Sequence, residues 1–200
     1  MLDQGKIKSA ILSSGVLQKG HFVFADGNHA LIKLEMDSLW DFPENLDIIL
    51  SALATVEGLP KADMILGVPT GGQRLAQEIG KRFLDIPVIL LERIPGMSKQ
   101  DFRFVSEKDE KLALNSQSIR IYEDVVTTLR SIAGVVKLLD PKRQDICSLA
   151  IWKRGETKKK YQKGVTDHYL IKEYLPSFLP HLCPICGTPK DNKKDKVVLI

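Results

Sequence analysis

The chain of 200 residues has only three cysteines and 6% aromatic residues. A small, odd number of thiols, two of them close together at Cys183 and Cys186, excludes the framework of a secreted disulfide protein and suits a reducing compartment. No run of roughly 18 uncharged apolar residues occurs, which excludes a spanning helix. Residues 1–17 interleave Asp3, Lys6 and Lys8 with apolar positions instead of building a signal-peptide core. The expected location is cytoplasmic, with no membrane partner. Internal repeats are absent, and the one biased segment is the basic tail after Gly187. The formal net charge of +4 is modest and partly carried by lysine runs at 158–160 and 190–196. Such runs read as solvated surface, so nucleic acid is not the expected partner.

What is present is 44% hydrophobic and 27% charged content, enough for one good core and a small appendage. Ile7, Ala10 and Ile11, followed by Ser14, recur at helical spacing and predict a first helix ending near Gly15. Two short apolar and aromatic segments, 21–25 and 30–36, flank Asp26-Gly27-Asn28 and read as a hairpin, a hood ahead of the main sheet. Asp41 and Pro43 start a second helix with Leu46, Ile49, Leu50 and Leu53 on its apolar face and Gly58 as its stop.

A strand–helix–strand rhythm follows. Apolar runs at 64–68 and 87–91 bracket a helical face of Leu75, Ala76, Ile79 and Phe83, and runs at 119–122 and 146–152 bracket 132–139. Units of this length predict an α/β fold, a doubly wound, mostly parallel sheet covered on both faces. The polar stretch from Arg93 to Leu112 has little periodicity and reads as a long, mobile, functional insertion.

Chemistry concentrates where the run at 119–122 ends in Glu123 and Asp124 and opens into Val126-Thr127-Thr128-Leu129-Arg130-Ser131. Backbone amides and hydroxyls leading into a helix make an anion site suited to a monophosphate. Two carboxylates just before that loop can accept ribose hydroxyls and assist a hydrated Mg²⁺. The segment from Glu123 to Thr128 resembles the PRPP-binding signature of type I phosphoribosyltransferases. Thr70-Gly71-Gly72, between the first core strand and its helix, is similar to the same family's pyrophosphate loop.

A third likeness points to the orotate phosphoribosyltransferases. Residues 20–29 resemble their hood, and 91–104 their catalytic loop. The resemblance implies transfer of ribose 5-phosphate from PRPP to a base, most readily orotate, with Mg²⁺ as cofactor. Glu123 and Asp124 would serve the ribose and the metal, Val126 to Ser131 the 5-phosphate, and Thr70 to Gly72 the pyrophosphate. Arg93, Lys99 and Arg103 would be the loop's catalytic cations, Asp124 would share in catalysis, and Asp26, His29, Lys153 and Arg154 would face the base. In the family the loop serves a neighbouring subunit, which implies a homodimer with shared sites.

The pattern departs from the family in three places. Leu129-Arg130 stands where two glycines are usual, and Leu129 lacks the freedom of glycine to take a positive φ. An acid and a methyl, Asp26 and Ala30, replace hood hydroxyls. Trp152-Lys153-Arg154 replaces Asp-Arg after the last core strand, and a lysine lacks the bidentate fork of arginine. These changes leave room for a purine or other-base phosphoribosyltransferase, or for a PRPP-sensing regulator that binds nucleic acid. Cys183-Pro-Ile-Cys186-Gly187 resembles half of a zinc knuckle. No second Cys-x-x-Cys follows, so a plain turn is the simpler reading and zinc the alternative. The catalytic domain is expected over 1–180, with the hood at about 1–40 and the mobile loop at about 93–112, followed by the turn and tail at 181–200.

Overall fold

The computed structural model describes residues 3–24, 26–59, 61–155 and 165–187, and the backbone of 197–199. Helix α1 (Gln4–Ser13) starts where Asp3 accepts the Gly5 amide at 2.8 Å, and it buries Ile7, Ala10 and Ile11. Strands β1 (Leu17–Val23) and β2 (His29–Leu34) form the predicted antiparallel hairpin. Its turn is built as the sequence implies. Gly27 takes φ +81°, and the Asn28 amide and side chain donate to the two Asp26 carboxylate oxygens at 3.0 and 2.9 Å. A strand from the far end of the chain, Val197–Leu199, adds to β1 in parallel and makes the hood three-stranded. The lysine runs at 158–160 and 190–196 lie outside the described residues.

Helix α2 (Pro43–Ala54) opens on Pro43, which needs no amide partner in the first turn, and buries Leu46, Ile49, Leu50 and Leu53. The main domain continues as β3 (Met64–Gly67), α3 (Gly71–Ile79) and β4 (Val88–Ile89). A ribbon of β5 (Leu91–Arg93) and β6 (Phe102–Phe104) then leads to α4 (Glu107–Asn115). After it come β7 (Ser118–Val126), α5 (Arg130–Val136), β8 (Asp145–Lys153) and β9 (Val165–Lys172).

The central sheet has the order β4-β3-β7-β8-β9 with every neighbouring pair parallel. Counted by chain order this is 2-1-3-4-5, a doubly wound arrangement. Side chains alternate between two cores. Ile65, Tyr122, Leu149 and Ile151 join α1, α2 and α3 on one face. Met64, Leu66, Ile121 and Ala150 join α5 and Ala113 of α4 on the other. Strands buried on both faces are mostly apolar, which is why they stand out as runs in the sequence.

Two expectations change. Phe83 is 38% exposed and not on the buried face of α3. After Ile79 the backbone widens by one residue over Gly80–Leu84 and closes on Asp85 at φ +48°, so the helical phase is lost before Phe83. The insertion at 93–112 is not structureless. Leu91 pairs with Phe104, Glu92 with Arg103 and Arg93 with Phe102. Ser106 caps α4 by accepting the Asp109 amide at 3.1 Å. The ribbon needs only alternation over three residues, Phe-Arg-Phe, too short a signal for periodicity to register.

Candidate active site

In a doubly wound sheet, ligands bind beyond the carboxyl ends of the strands where the order reverses. Here that point lies between β3 and β7, and the two most distinctive motifs leave the sheet there. The Val68 amide donates to the Tyr122 carbonyl at 2.9 Å, locking the two strand ends together. The Pro69–Thr70 peptide is cis. A β-carbon on Gly71 would sit 2.1 Å from Asp124 Oδ2, and one on Gly72 would sit 2.2 Å from the Tyr122 carbonyl oxygen. Gly72 is therefore required by the approach of α3 to β7, whatever ligand the turn holds, whereas at Gly71 a methyl would meet only the Asp124 side chain. Asp124 lies between the two loops, with its Oδ1 accepting the Val125 amide at 2.6 Å. It shares the wall of one hollow with Thr70, Gly71 and Arg74, whose guanidinium carbon stacks 3.6 Å from the centroid of Trp40. Arg74 was not singled out from the sequence, because one cation on a helix carries no motif.

Glu123 is buried at 8% exposure. Burial pushes its carboxyl well above the usual carboxylate range, and the adjacent Asp124 charge adds to the rise, while the amide of Asp124 and the charge of Arg93 oppose it. The two acids, alike in sequence, thus differ in environment.

Beyond them Val126 is buried, Thr127 and Thr128 are exposed and Ser131 is half-buried. Together with Glu123, Leu129 and Arg130 they wall a hollow of about 100 Å³. Leu129 does adopt the left-handed conformation, φ +62° and ψ +2°, which costs an L-residue about 1–2 kcal/mol. Its side chain is 6% exposed within the same buried cluster as Phe102 and Ile132. Burial of a leucine, worth about 1.5–3 kcal/mol, offsets that cost. Arg130 remains exposed at the rim.

The expected cations separate. Arg93 Nη2 donates to the Pro69 carbonyl of its own chain at 2.5 Å. β5 thus ends beside the Gly-rich turn, which sets Arg93 next to the loop expected to hold the pyrophosphate. Arg103 Nε pairs with Glu92 Oε1 at 2.7 Å across the ribbon. Lys99 is exposed at the ribbon's tip, near enough to Asp26 to lower its carboxyl slightly; the larger causes are the bonds from Asn28.

At the other side, a β-carbon on Gly155 would lie 2.3 Å from the Thr127 carbonyl, so the exit of β8 packs on the phosphate loop. Lys153 lies 5.1 Å from the Tyr169 ring centroid and Arg154 5.2 Å from that of Phe24 in the hood. Burial lowers the pKa of Arg154 from its usual value, against the smaller effect of Tyr174. Asp26 spends both oxygens on its turn, and His29 faces Cys186 at 3.1 Å; neither side chain meets the strand ends in these contacts. Roomier hollows of about 490 and 710 Å³ lie beside α1 and α2 and beside β6 and α4, but neither borders Asp124. Among the described residues no helix is long and apolar enough to cross a membrane.

No family model matches the chain. A Thermotoga maritima protein named orotate phosphoribosyltransferase is 30% identical over 188 residues, covering 92% of this chain and 95% of its own. The chain belongs to the orotate phosphoribosyltransferase family. A Thermoanaerobacter protein of the same name is 25% identical over 173 residues, 86% of each chain. Among solved structures, the orotate phosphoribosyltransferase of Aeropyrum pernix matches with a TM-score of 0.62 and 21% identity over 76% of this chain and 83% of that one. The adenine phosphoribosyltransferase of Rhodothermus marinus matches with a TM-score of 0.67 and 11% identity over 85% and 99%. At these identities the structures speak for the fold, and that fold is shared by enzymes named for different bases.

Proposed function

We propose that this chain transfers ribose 5-phosphate from PRPP to orotate, releasing pyrophosphate and forming orotidine monophosphate. The observation that carries the reading is the meeting of the two loops at Asp124. A Gly-rich turn and a hydroxyl-rich loop, each suited to phosphate, flank one carboxylate at the switch point of the sheet. A ligand with a phosphate at each end and a ribose between them fits that order.

Thr127, Thr128 and Ser131, with the loop amides, would hold the 5-phosphate. Asp124 would accept ribose hydroxyls, and the amides of 70–72 with Arg93 would hold the pyrophosphate. Glu123, whose carboxyl burial pushes upward, would lie beside the ribose as the second, less readily charged acid. Catalysis then rests on holding base and C1 in line and on neutralising the departing pyrophosphate. The donor set also suits Mg²⁺: one accessible carboxylate oxygen is typical of that ion, which keeps its waters and the substrate's phosphates as its other ligands. When bound it would supply charge neutralisation of the leaving group. Lys153 and Arg154, against the phosphate loop, would face the carboxylate of the base, with Lys99 from the ribbon's tip closing over the reactants.

The test is turnover with Mg²⁺, PRPP and a panel of bases. Consumption of orotate, with hypoxanthine, guanine, adenine and uracil inert, is expected. If a purine is consumed and orotate is not, the transfer chemistry stands and the base assignment falls. PRPP binding without turnover of any base would favour a sensor.

A further inference from the structure

Four side chains able to ligate a metal converge where the hood meets the C-terminal turn. His21 on β1, His29 on β2, Cys183 and Cys186 bring one ligand atom each to within 4.8 Å of all the others. His21 Nε2 lies 3.0 Å from His29 Nδ1, 3.4 Å from Cys183 Sγ and 3.5 Å from Cys186 Sγ, and His29 Nδ1 lies 3.1 Å from Cys186 Sγ. We propose that these residues form a closed, structural zinc site that clasps the N-terminal hairpin to the C-terminal Cys-x-x-Cys turn.

The distances carry the assignment. Zinc at about 2.3 Å from sulfur and about 2.0–2.1 Å from nitrogen, held tetrahedrally, sets donor–donor edges of about 3.4 Å between nitrogens and about 3.5 Å between nitrogen and sulfur. The observed edges lie within about 0.4 Å of these values. Pairwise hydrogen bonding does not explain the cluster as well. His21 Nε2 faces three partners and can carry at most one proton, so at most one of those contacts can be its donation. Four donors around one point are instead what an ion needs, and two thiols with two imidazoles select zinc among the common metals.

The surroundings hold the ligands in place without the ion. The backbone of His29 exchanges hydrogen bonds with Phe178 at 2.8 and 2.7 Å, tying the hairpin to the segment that leads to Cys183. The Gly187 amide donates to the Cys183 carbonyl at 2.8 Å, which curls the turn so that both sulfurs face the hairpin. A β-carbon on Gly187 would come within 2.6 Å of the Cys183 nitrogen. With all four positions filled by protein there is none for a substrate, so the role is structural. The sequence offered only half of the set because the other half is two histidines eight residues apart on neighbouring strands, a spacing that no linear motif describes.

The test is metal content and its dependence on these residues, in the full chain purified without a histidine tag under reductant. We expect about one zinc per chain by elemental analysis, loss of that zinc in Cys183→Ser and in His29→Asn, and a lower thermal midpoint after chelation that zinc restores. Cobalt(II) put in its place should give the intense ligand-field bands of a tetrahedral thiolate site. Absence of stoichiometric metal in the unmodified chain after dialysis against zinc would overturn the proposal, and this measurement needs no variant to fold. Zinc retained at full occupancy in His21→Asn and His29→Asn would overturn the ligand set, as would a Cys183–Cys186 disulfide under reductant.

Discussion

Glu123 and Leu129 set the character of the candidate site residue by residue. Glu123 is the one carboxyl there whose folded pKa is raised well above its usual value, mainly by burial. Such a group contributes stability that is fully present below the unfolded pKa, near about 4.3, and is lost as pH rises through the higher folded value. Glu123→Gln should therefore raise the thermal midpoint of the ligand-free protein at pH 8, with the gain vanishing towards pH 4, as followed by scanning calorimetry. An equal gain at every pH would mean that the Glu123 pKa is not raised in the fold. Leu129→Gly removes about 1–2 kcal/mol of left-handed strain but also a buried side chain worth about 2–5 kcal/mol. A net destabilisation of about 1–3 kcal/mol in urea melts, with PRPP affinity held within about threefold, is expected. A stabilised variant would show that the side chain contributes little.

Elements explain why some of this was legible in sequence and some was not. Four of the five sheet strands could be read because burial makes them apolar runs, and the acidic end of β7 and the turn after β3 sit where those runs stop; β9, an edge strand with Thr166, Asp167 and His168 in its first half, carries no such run. The ribbon of β5 and β6 could not be read that way. Its order comes from Phe102 packing on α5, a segment well along the chain, and from Arg103 pairing with Glu92 across the ribbon, contacts that no residue pattern announces. The separation of Glu123 from Asp124 was also hidden, since identical chemistry in adjacent positions acquires different burial only in the fold. The two glycines at the start of α3 make a contrast. Gly72→Ala would place its methyl against the Tyr122 carbonyl and should cost about 1–3 kcal/mol of stability. Gly71→Ala meets only the Asp124 side chain, which can rotate away. It should melt within about 1 kcal/mol of the parent yet lose PRPP affinity about tenfold or more in calorimetry. Equal effects of the two on stability would contradict the distinction.

For the molecule as a whole, we propose a homodimer, with the division of labour altered by the position of Arg93. Since Arg93 contacts the Gly-rich turn of its own chain, the residue available to a neighbouring site is Lys99 at the ribbon's exposed tip. Mixing a Lys99→Ala chain with a Glu123→Ala, Asp124→Ala chain should restore activity towards one intact site per dimer, and no recovery after confirmed subunit exchange would confine Lys99 to its own chain. The central claim is that the ends of β3 and β7 together form the PRPP site. A crystal structure with orotidine monophosphate and pyrophosphate bound tests it most directly. The account predicts the 5-phosphate within hydrogen-bond distance of the loop at 127–131, the ribose on Asp124 and the pyrophosphate on the turn at 70–72. Ligand in the hollow beside β6 and α4, with the strand ends empty, would contradict it.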